Sequence, residues 1–449
     1  MIFSSFTFLL FLMPVTILGY WMAPAKARMP LLFAVSLLFY GWSNPLWILL
    51  LLFSMLVNWG GAQLMMRNGK RSRAVFVACI IINLLPLLFF KYAGFLRDTW
   101  NQLLPWHVDF ATPPLPAGIS FFTFQAMSYL FDVYRGEAKV QRSFTIFGVY
   151  LSMFPQLVAG PIVRYTDLEE QLIAHPRPGA AEMRQGMGRF AAGLAKKVLL
   201  ADAMGRLWSQ MNGNFAQAGA LGAWVGLLAF SFQIFFDFAG YSDMAIGLGH
   251  MMGFTMPENF DRPYRARSLT DFWRRWHMTL TDWFKAYVYI PLGGSRCGRV
   301  RRDVNVLIVW ALTGLWHGAG WNFVLWGLYF AVLLVAEKRW LLKNERWLRV
   351  PGAIRQGITF FVVLLGWGLF SGFGAQLWTA LAGGYGFAAG DTALTCLAYA
   401  PMLLLCCALC WLPEWKHVPL KRFAVPVLMV LCLAALASQG YAPFVYFQF

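Results

Sequence analysis

The sequence predicts an all-α polytopic integral membrane protein, and three observations carry that reading. Hydrophobic residues fill 59% of the 449 positions and charged ones only 13%, where a soluble chain is about a quarter charged. The apolar residues come in blocks of about 18 to 25, the length that crosses roughly 30 Å of hydrocarbon. The basic residues behind the net charge of +17 sit in short loops between those blocks, which is how membrane orientation is written into a chain. A transmembrane barrel is disfavoured, because its strands would alternate apolar and polar residues. Nucleic-acid binding is disfavoured by the same scattering of charge among loops.

Taken in order, spans are expected near 2–21, 30–43, 46–66 and 74–95. The first has no basic leader and no small-x-small cleavage site, so it reads as a retained span rather than a signal peptide. Lys26 and Arg28 follow it, and Arg67, Lys70, Arg71 and Arg73 follow the third, which places the N-terminus outside and both loops in the cytoplasm. Asp98 to Pro116, rich in Pro and Trp, then forms an outer loop. The chain returns inward through 118–135, where Gln125 and Asp132 interrupt an apolar run, and crosses again over 144–163. Residues 184–206 are basic and weakly amphipathic, suited to the interface or to burial in protein, and a clear span follows at 220–238. The stretch 258–302 is too polar to span against lipid, so amphipathic or re-entrant helices are expected there. Further spans near 356–372, 393–412 and 423–440 alternate with basic clusters at 338–355 and 416–422, leaving 441–449 outside. The whole makes about eleven crossings in a single domain over 1–449, with no internal repeat and no flexible linker. Cys406, Cys407 and Cys410 lie inside an apolar run and read as structural thiols.

His317 is the most informative position. It lies in Thr313-Gly-Leu-Trp-His317-Gly-Ala-Gly-Trp321-Asn322, between two apolar runs. The flanking clusters Arg296–Arg302 and Lys338–Arg339 both read as cytoplasmic, and the gap between them is short of the roughly 40 residues that two full spans require. Two short helices near 304–315 and 320–336, meeting at Gly314–Gly320, would place His317 at a broken-helix turn inside the membrane. An imidazole there is a core histidine bonded to a carbonyl, a proton relay of a transporter, or a catalytic base. Gly314, Gly318 and Gly320 let a substrate approach closely, while Trp316, Trp321 and Trp326 form bulky walls.

His277 follows Asp271-Phe-Trp-Arg-Arg-Trp276, a run polar enough for the cytoplasmic interface. Arg274 and Arg275, with Arg262, Arg265 and Arg267, could hold an anionic donor or contact lipid headgroups, and Trp276 fits an interfacial aromatic belt. Asp237 and Asp243 need partners beside an apolar span. Pairing with the arginines of 262–275 is the expected arrangement, and a proton path is the rival. Pro291-Leu-Gly-Gly-Ser-Arg296 reads as a tight turn rather than a phosphate loop. No Walker A sequence, Gly-x-Ser-x-Gly elbow, His-Glu-x-x-His or Cys/His metal spacing occurs, so no metal is expected. A positioned histidine without a nucleophile motif fits direct transfer, the base deprotonating an acceptor hydroxyl as it attacks an activated acyl group.

Several long blocks then resemble one family. They are Leu115 to Arg135, Phe154 to Arg164, Phe238 to Gly247, Pro257 to Tyr264, Phe272 to Gly294, Thr313 to Gly318 and the ending Phe444 to Phe449. They are similar to the membrane-bound O-acyltransferases (MBOAT) of the alginate and cellulose O-acetylation type. The match covers most of 1–340, and 341–449 holds C-terminal spans without a motif. The resemblance implies a helical shell around a central funnel. It implies that His317 is the catalytic histidine and His277 a second, supporting one, with Trp316, Asn322, Arg274, Arg275, Trp276, Asp243 and Gln125 as binding or supporting residues. It further implies acetyl-CoA, or a carrier-bound acetyl, as co-substrate with no bound cofactor. The product would be an O-acetylated exopolysaccharide, made with a periplasmic SGNH-type acetyltransferase and the polysaccharide synthesis complex in a bacterial inner membrane. A proton-coupled transporter or flippase, and a lipid or protein O-acyltransferase, are the alternatives.

Overall fold

In a computed structural model, residues 2–69, 71–411, 423–439 and 444 are described. Lys70, the basic cluster at 416–422 and most of the ending 441–449 lie outside the described residues. The chain is helical throughout, with no strand among the described residues. Among the described residues, six helices are long and apolar enough to cross a membrane by length and composition, and Phe8–Met22 and Ala424–Ser438 are shorter apolar helices. Leu49, Phe53, Leu56 and Leu85 stand 46–64% exposed on these helices, a display of apolar surface that water does not tolerate over a large area. This is a multi-pass membrane protein.

The residues group into two compact units, Met1–Ala191 with Tyr241–Glu258, and Ala192–Gly240 with Asn259–Phe449. The first unit contains α1 (Phe8–Met22), α2 (Ala25–Gly41), α3 (Leu46–Met65) and α4 (Arg73–Leu103), followed by α5 (Ile119–Arg135). Every residue of α5 from Ile119 to Leu130 is buried, and α2, α3 and α4 form the layer beside it with α6 (Phe144–Ser152). Asn58 on α3 and Asn83 on α4 exchange amide hydrogen bonds of 2.8 and 2.9 Å, a polar clasp between apolar helices. Two expectations change here. The helix expected to end near 95 runs on to Leu103, because its last turns supply partners for the loop that follows. Asn101 bonds both the amide and the carbonyl of Val108, and Trp100 Nε1 donates to the Trp106 carbonyl. The span expected over 144–163 is instead a nine-residue helix broken at Met153 (φ −48°, ψ 112°). Pro155 has no amide proton to continue the ladder, and the freed Tyr150 carbonyl accepts from Gln156 Nε2 at 2.6 Å.

The helices α7 (Tyr165–Ala174), α8 (Ala180–Ala195), α9 (Asp202–Asn212) and α10 (Phe215–Met251) follow. The last is interrupted at Gly219 (φ 61°, ψ −167°), runs well past the 220–238 span expected, and carries both Asp237 and Asp243. The second unit then holds the short α11 (Leu269–Arg275) and α12 (Met278–Phe284) in the polar region, as anticipated for non-spanning helices. Next come α13 (Arg299–His317) and α14 (Trp321–Arg339), and then α15 (Gly352–Phe370), α16 (Gly374–Leu381), α17 (Thr392–Trp411) and α18 (Ala424–Gln439). Pro291–Arg296 is a turn, with Gly293 and Gly294 at φ 109° and 55°. Cys406 and Cys410 are buried free thiols on α17.

α13 and α14 each have 19 residues and so rise about 28 Å, longer than the arms expected at 304–315 and 320–336. The additions are charged ends, Arg299–Asp303 and Glu337–Arg339, where Arg339 pairs with Asp303 and clasps the two open ends of the hairpin. The break falls where the glycines predict it, with Gly318 and Gly320 extended. The two helices touch backbone to backbone. A Cβ on Gly314 would lie 2.3 Å from the Phe323 carbonyl oxygen, and one on Gly327 would lie 2.4 Å from that of Trp310.

Candidate active site

Both histidines are in the second unit, and two local devices bring them together. His317 is the last residue of α13, followed at once by the extended Gly318. His277 joins α11 to α12 in the left-handed region, at φ 45° and ψ 54°, a conformation that costs a non-glycine residue free energy unless its surroundings hold it. Asn259 does the holding. Its main-chain oxygen accepts from the Met278 amide at 2.9 Å, and its Oδ1 lies 3.0 Å from both His277 Nδ1 and Thr279 Oγ1. Because that oxygen also accepts from the Thr279 hydroxyl and amide, the His277 nitrogen facing it is the N–H, which leaves the basic lone pair on Nε2. His277 is only 2% exposed, and burial lowers its pKa to about 3, so the ring is neutral at physiological pH.

The two imidazole centroids are 6.4 Å apart. Trp316 lies against both, at 5.8 Å from His277 and 5.1 Å from His317. Trp326 and Phe370 meet the His317 ring edge to face, with centroids 5.1 and 5.4 Å away. Phe238 packs at right angles on His277 at 4.7 Å. His317 is buried, with 8% of its surface accessible, and aromatic rings wall the imidazole. Such surroundings exclude bulk water and strengthen every hydrogen bond made there.

The remaining expected residues divide. Trp316 packs against both histidines. Asn322 Nδ2 donates to the Phe370 carbonyl at 3.1 Å and so caps the end of α15. Trp276 is core packing, 4.8 Å from Trp367 and 5.1 Å from Phe260. Arg275 is engaged by Asp271 at 2.7 Å and Asp261 at 3.2 Å, whereas Arg274 is exposed. Asp243 and Gln125 lie in the first unit. Asp243 is bound by Arg189 at 2.8 Å, which also holds Glu258. Gln125 is fully buried, and its side-chain amide meets no hydrogen-bond partner among the described residues.

The expected pairing of Asp237 and Asp243 with arginines of 262–275 is incorrect. Asp237 binds Lys197 at 2.8 Å, and Lys197 also binds Asp202 at 2.7 Å. The arginines near 262–275 have nearer acids in Asp261 and Asp271, while α8 and the turns after it run beside α10 and supply Arg189 and Lys197. Both carboxylates that a proton path would use are thus engaged in ion pairs. Sequence reasoning missed Asn259 as a partner of His277. The only signal was an amide inside the block Pro257 to Tyr264.

Comparison with known proteins decides the family. A model of the membrane-bound O-acyltransferase family matches residues 78–374, a stretch that contains both histidines. The chain belongs to the membrane-bound O-acyltransferase family. It is 37% identical to a probable alginate O-acetylase of Pseudomonas aeruginosa, over 82% of this chain and 72% of the relative. It is 32% identical to a peptidoglycan O-acetyltransferase of Helicobacter pylori, over 82% and 77%. A teichoic acid D-alanyltransferase of Bacillus subtilis is 29% identical over 68% and 80%. The chain is therefore an O-acyltransferase, and the transport reading falls.

Proposed function

We propose that this O-acyltransferase moves acetyl groups from a cytoplasmic donor, acetyl-CoA or a carrier thioester, across the bacterial inner membrane for O-acetylation of an exopolysaccharide of the alginate or cellulose type. The observation that carries the reading is the pairing of His317, at the end of α13, with a neutral His277 held by Asn259, 6.4 Å away ring to ring. The identity to alginate O-acetylases, which reaches 37% against 32% and 29% for the peptidoglycan and teichoic acid enzymes, supports the acetyl group and the polysaccharide.

In this reading His317 accepts the proton of an acceptor hydroxyl. The hydroxyl oxygen forms the new C–O bond with the acetyl carbonyl carbon while the C–S bond of the thioester breaks. The departing thiolate then takes the proton back from the imidazolium. The negative end of the α13 dipole lies where that imidazolium forms. His277 supports the step as a neutral group, Trp316 lines the site, and exposed Arg274 is available to an anionic part of the donor. A periplasmic SGNH-type acetyltransferase, working with the polysaccharide synthesis complex, completes transfer to the polymer. The N-terminus is periplasmic.

The test is acetate released by mild base from the exopolysaccharide of cells carrying the parent or His317→Ala. The variant is expected to accumulate in the membrane and to leave the polymer unacetylated. Normal acetate content would end the assignment of His317 as the base. His277→Ala is expected to lower acetylation strongly but less completely. A panel of short and long acyl-CoA donors separates acetylation from long-chain acyl transfer.

A further inference from the structure

We propose that Glu337 is a positioning residue for the acyl-transfer site: from α14 it fixes the start of α11, and so sets where His277 stands relative to His317. The inference rests on the reading of those two histidines as the site. Glu337 closes the apolar run of α14 and is 5% exposed, although it sits beside Lys338 and Arg339, where the sequence reads as a solvated basic cluster. Its carboxylate turns inward instead. Oε1 accepts from the Leu269 amide at 2.6 Å, and Oε2 accepts from the Thr270 amide at 2.8 Å and the Thr270 hydroxyl at 2.6 Å.

Those amides are the first two of α11. A helix starts with four amides that have no partner within it. Asp271 N donates to Ser268 Oγ at 3.0 Å and Glu337 takes the Leu269 and Thr270 amides, while Phe272 N, donating to the Ser268 carbonyl at 2.9 Å, makes the first bond of the helix's own ladder. Two of these three side-chain caps therefore come from a residue 67 positions from Thr270 in sequence. The same helix is braced to the hairpin by Trp273, whose ring lies 4.6 Å from Trp310 on α13 and 4.9 Å from Phe330 on α14.

α11 has only seven residues, so it spans about 10 Å and behaves as a rigid strut. Its start is bound to the C-terminal end of α14, and its far end leads through Trp276 into His277. The hairpin that carries Glu337 at one end carries His317 at the other. One rigid pair of helices thus fixes both histidines, one directly and one through Glu337 and α11. Without the carboxylate, the Leu269 and Thr270 amides lose their buried acceptor. The seven-residue helix is then free to shift, and the left-handed His277 shifts with it.

The experiment measures base-released acetate per molecule of accumulated protein for the parent, Glu337→Ala, Glu337→Gln and His317→Ala, with amide hydrogen exchange of the peptide covering 268–280 on the purified full chain. Glu337→Ala is expected to lower acetylation at least tenfold and to speed exchange in that peptide. Glu337→Gln keeps one carbonyl acceptor and is expected to recover to within about fivefold of the parent. If Glu337→Ala fails to accumulate, Glu337→Gln and Thr270→Val, which removes one of the three donors, carry the test with the same ordering of exchange and activity. Normal acetylation or unchanged exchange in Glu337→Gln and Glu337→Ala, with His317→Ala inactive, overturns the positioning role and leaves the site reading intact. Reduced protein level with unchanged acetate per molecule overturns it too, since that marks a role in stability alone. If His317→Ala also acetylates normally, the site reading itself falls.

Discussion

Replacing Gly314 by alanine tests how tightly the geometry of the hairpin is coupled to function. In the interior of a helix the change should stabilise, because glycine costs about 1 kcal/mol relative to alanine there. Here the new methyl would lie 2.3 Å from the Phe323 carbonyl oxygen of α14, where ordinary contact begins at 3.4 Å. The atom it meets is backbone and cannot rotate away, so the two helices must separate by about 1 Å. Overpacking of that kind costs about 1–3 kcal/mol, enough to cancel the helical gain without unfolding the protein. His317 lies three residues on, on the same face, and moves with the displaced helix. A displacement of about 1 Å at a reacting group lowers a rate by about a hundredfold. Gly314→Ala is therefore expected to reach the membrane and melt within a few degrees of the parent, but to lose most base-released acetate. Gly327→Ala, 2.4 Å from the Trp310 carbonyl across the same contact, should behave alike, and the double variant should be little worse than either. Gly357→Ala on α15, with nothing within 4 Å, is the control and should be active. Parental acetylation by Gly314→Ala would show that the hairpin contact does not set the position of His317, and the coupling argued here would be wrong.

Three other outcomes follow from the same geometry. Asn259→Ala removes the acceptor shared by His277 and Thr279; leaving buried donors unmet costs about 1–3 kcal/mol, and acetylation should fall about ten- to hundredfold at near-normal protein level, whereas full activity would refute the role given to Asn259. Lys197→Met leaves Asp202 and Asp237 buried without their cation, which costs about 3–5 kcal/mol; the variant should melt well below the parent in detergent and recover in part when Asp237→Asn is added, and an unchanged melting temperature would sink the argument. His277 is held near pKa 3 by burial, against about 6.5 for a free imidazole. Between those values the unfolded chain takes up a proton that the folded chain refuses, so stability is lost as pH falls from 6.5 toward 3. His277→Gln should make that loss shallower than in the parent, and parallel melting curves across pH 4–7 would count against a neutral buried ring.

Hydropathy and charge placement alone determined that this is a helical membrane protein, because about 20 apolar residues in a row have few other soluble fates. Glycine spacing also located the hairpin break. Gly314 and Gly318 are where the Phe323 backbone and ring approach within distances that admit no side chain, and the need for glycine is local. Span lengths were less legible: Pro155 divided a run that hydropathy reads as continuous, and the ends of α13 and α14 extend through charges that composition assigns to loops.

What only tertiary structure decided is which polar group answers which. The acids at 237 and 243 had arginines near in composition and took Lys197 and Arg189 instead. Asn259 shows only as an amide inside the block Pro257 to Tyr264 and Glu337 carries no signature, since a side chain that accepts from a distant amide or ring is chosen by position after folding. Local patterns report burial and periodicity. A hydrogen-bond partner dozens of residues away is fixed by how helices pack, and no window of sequence contains that information.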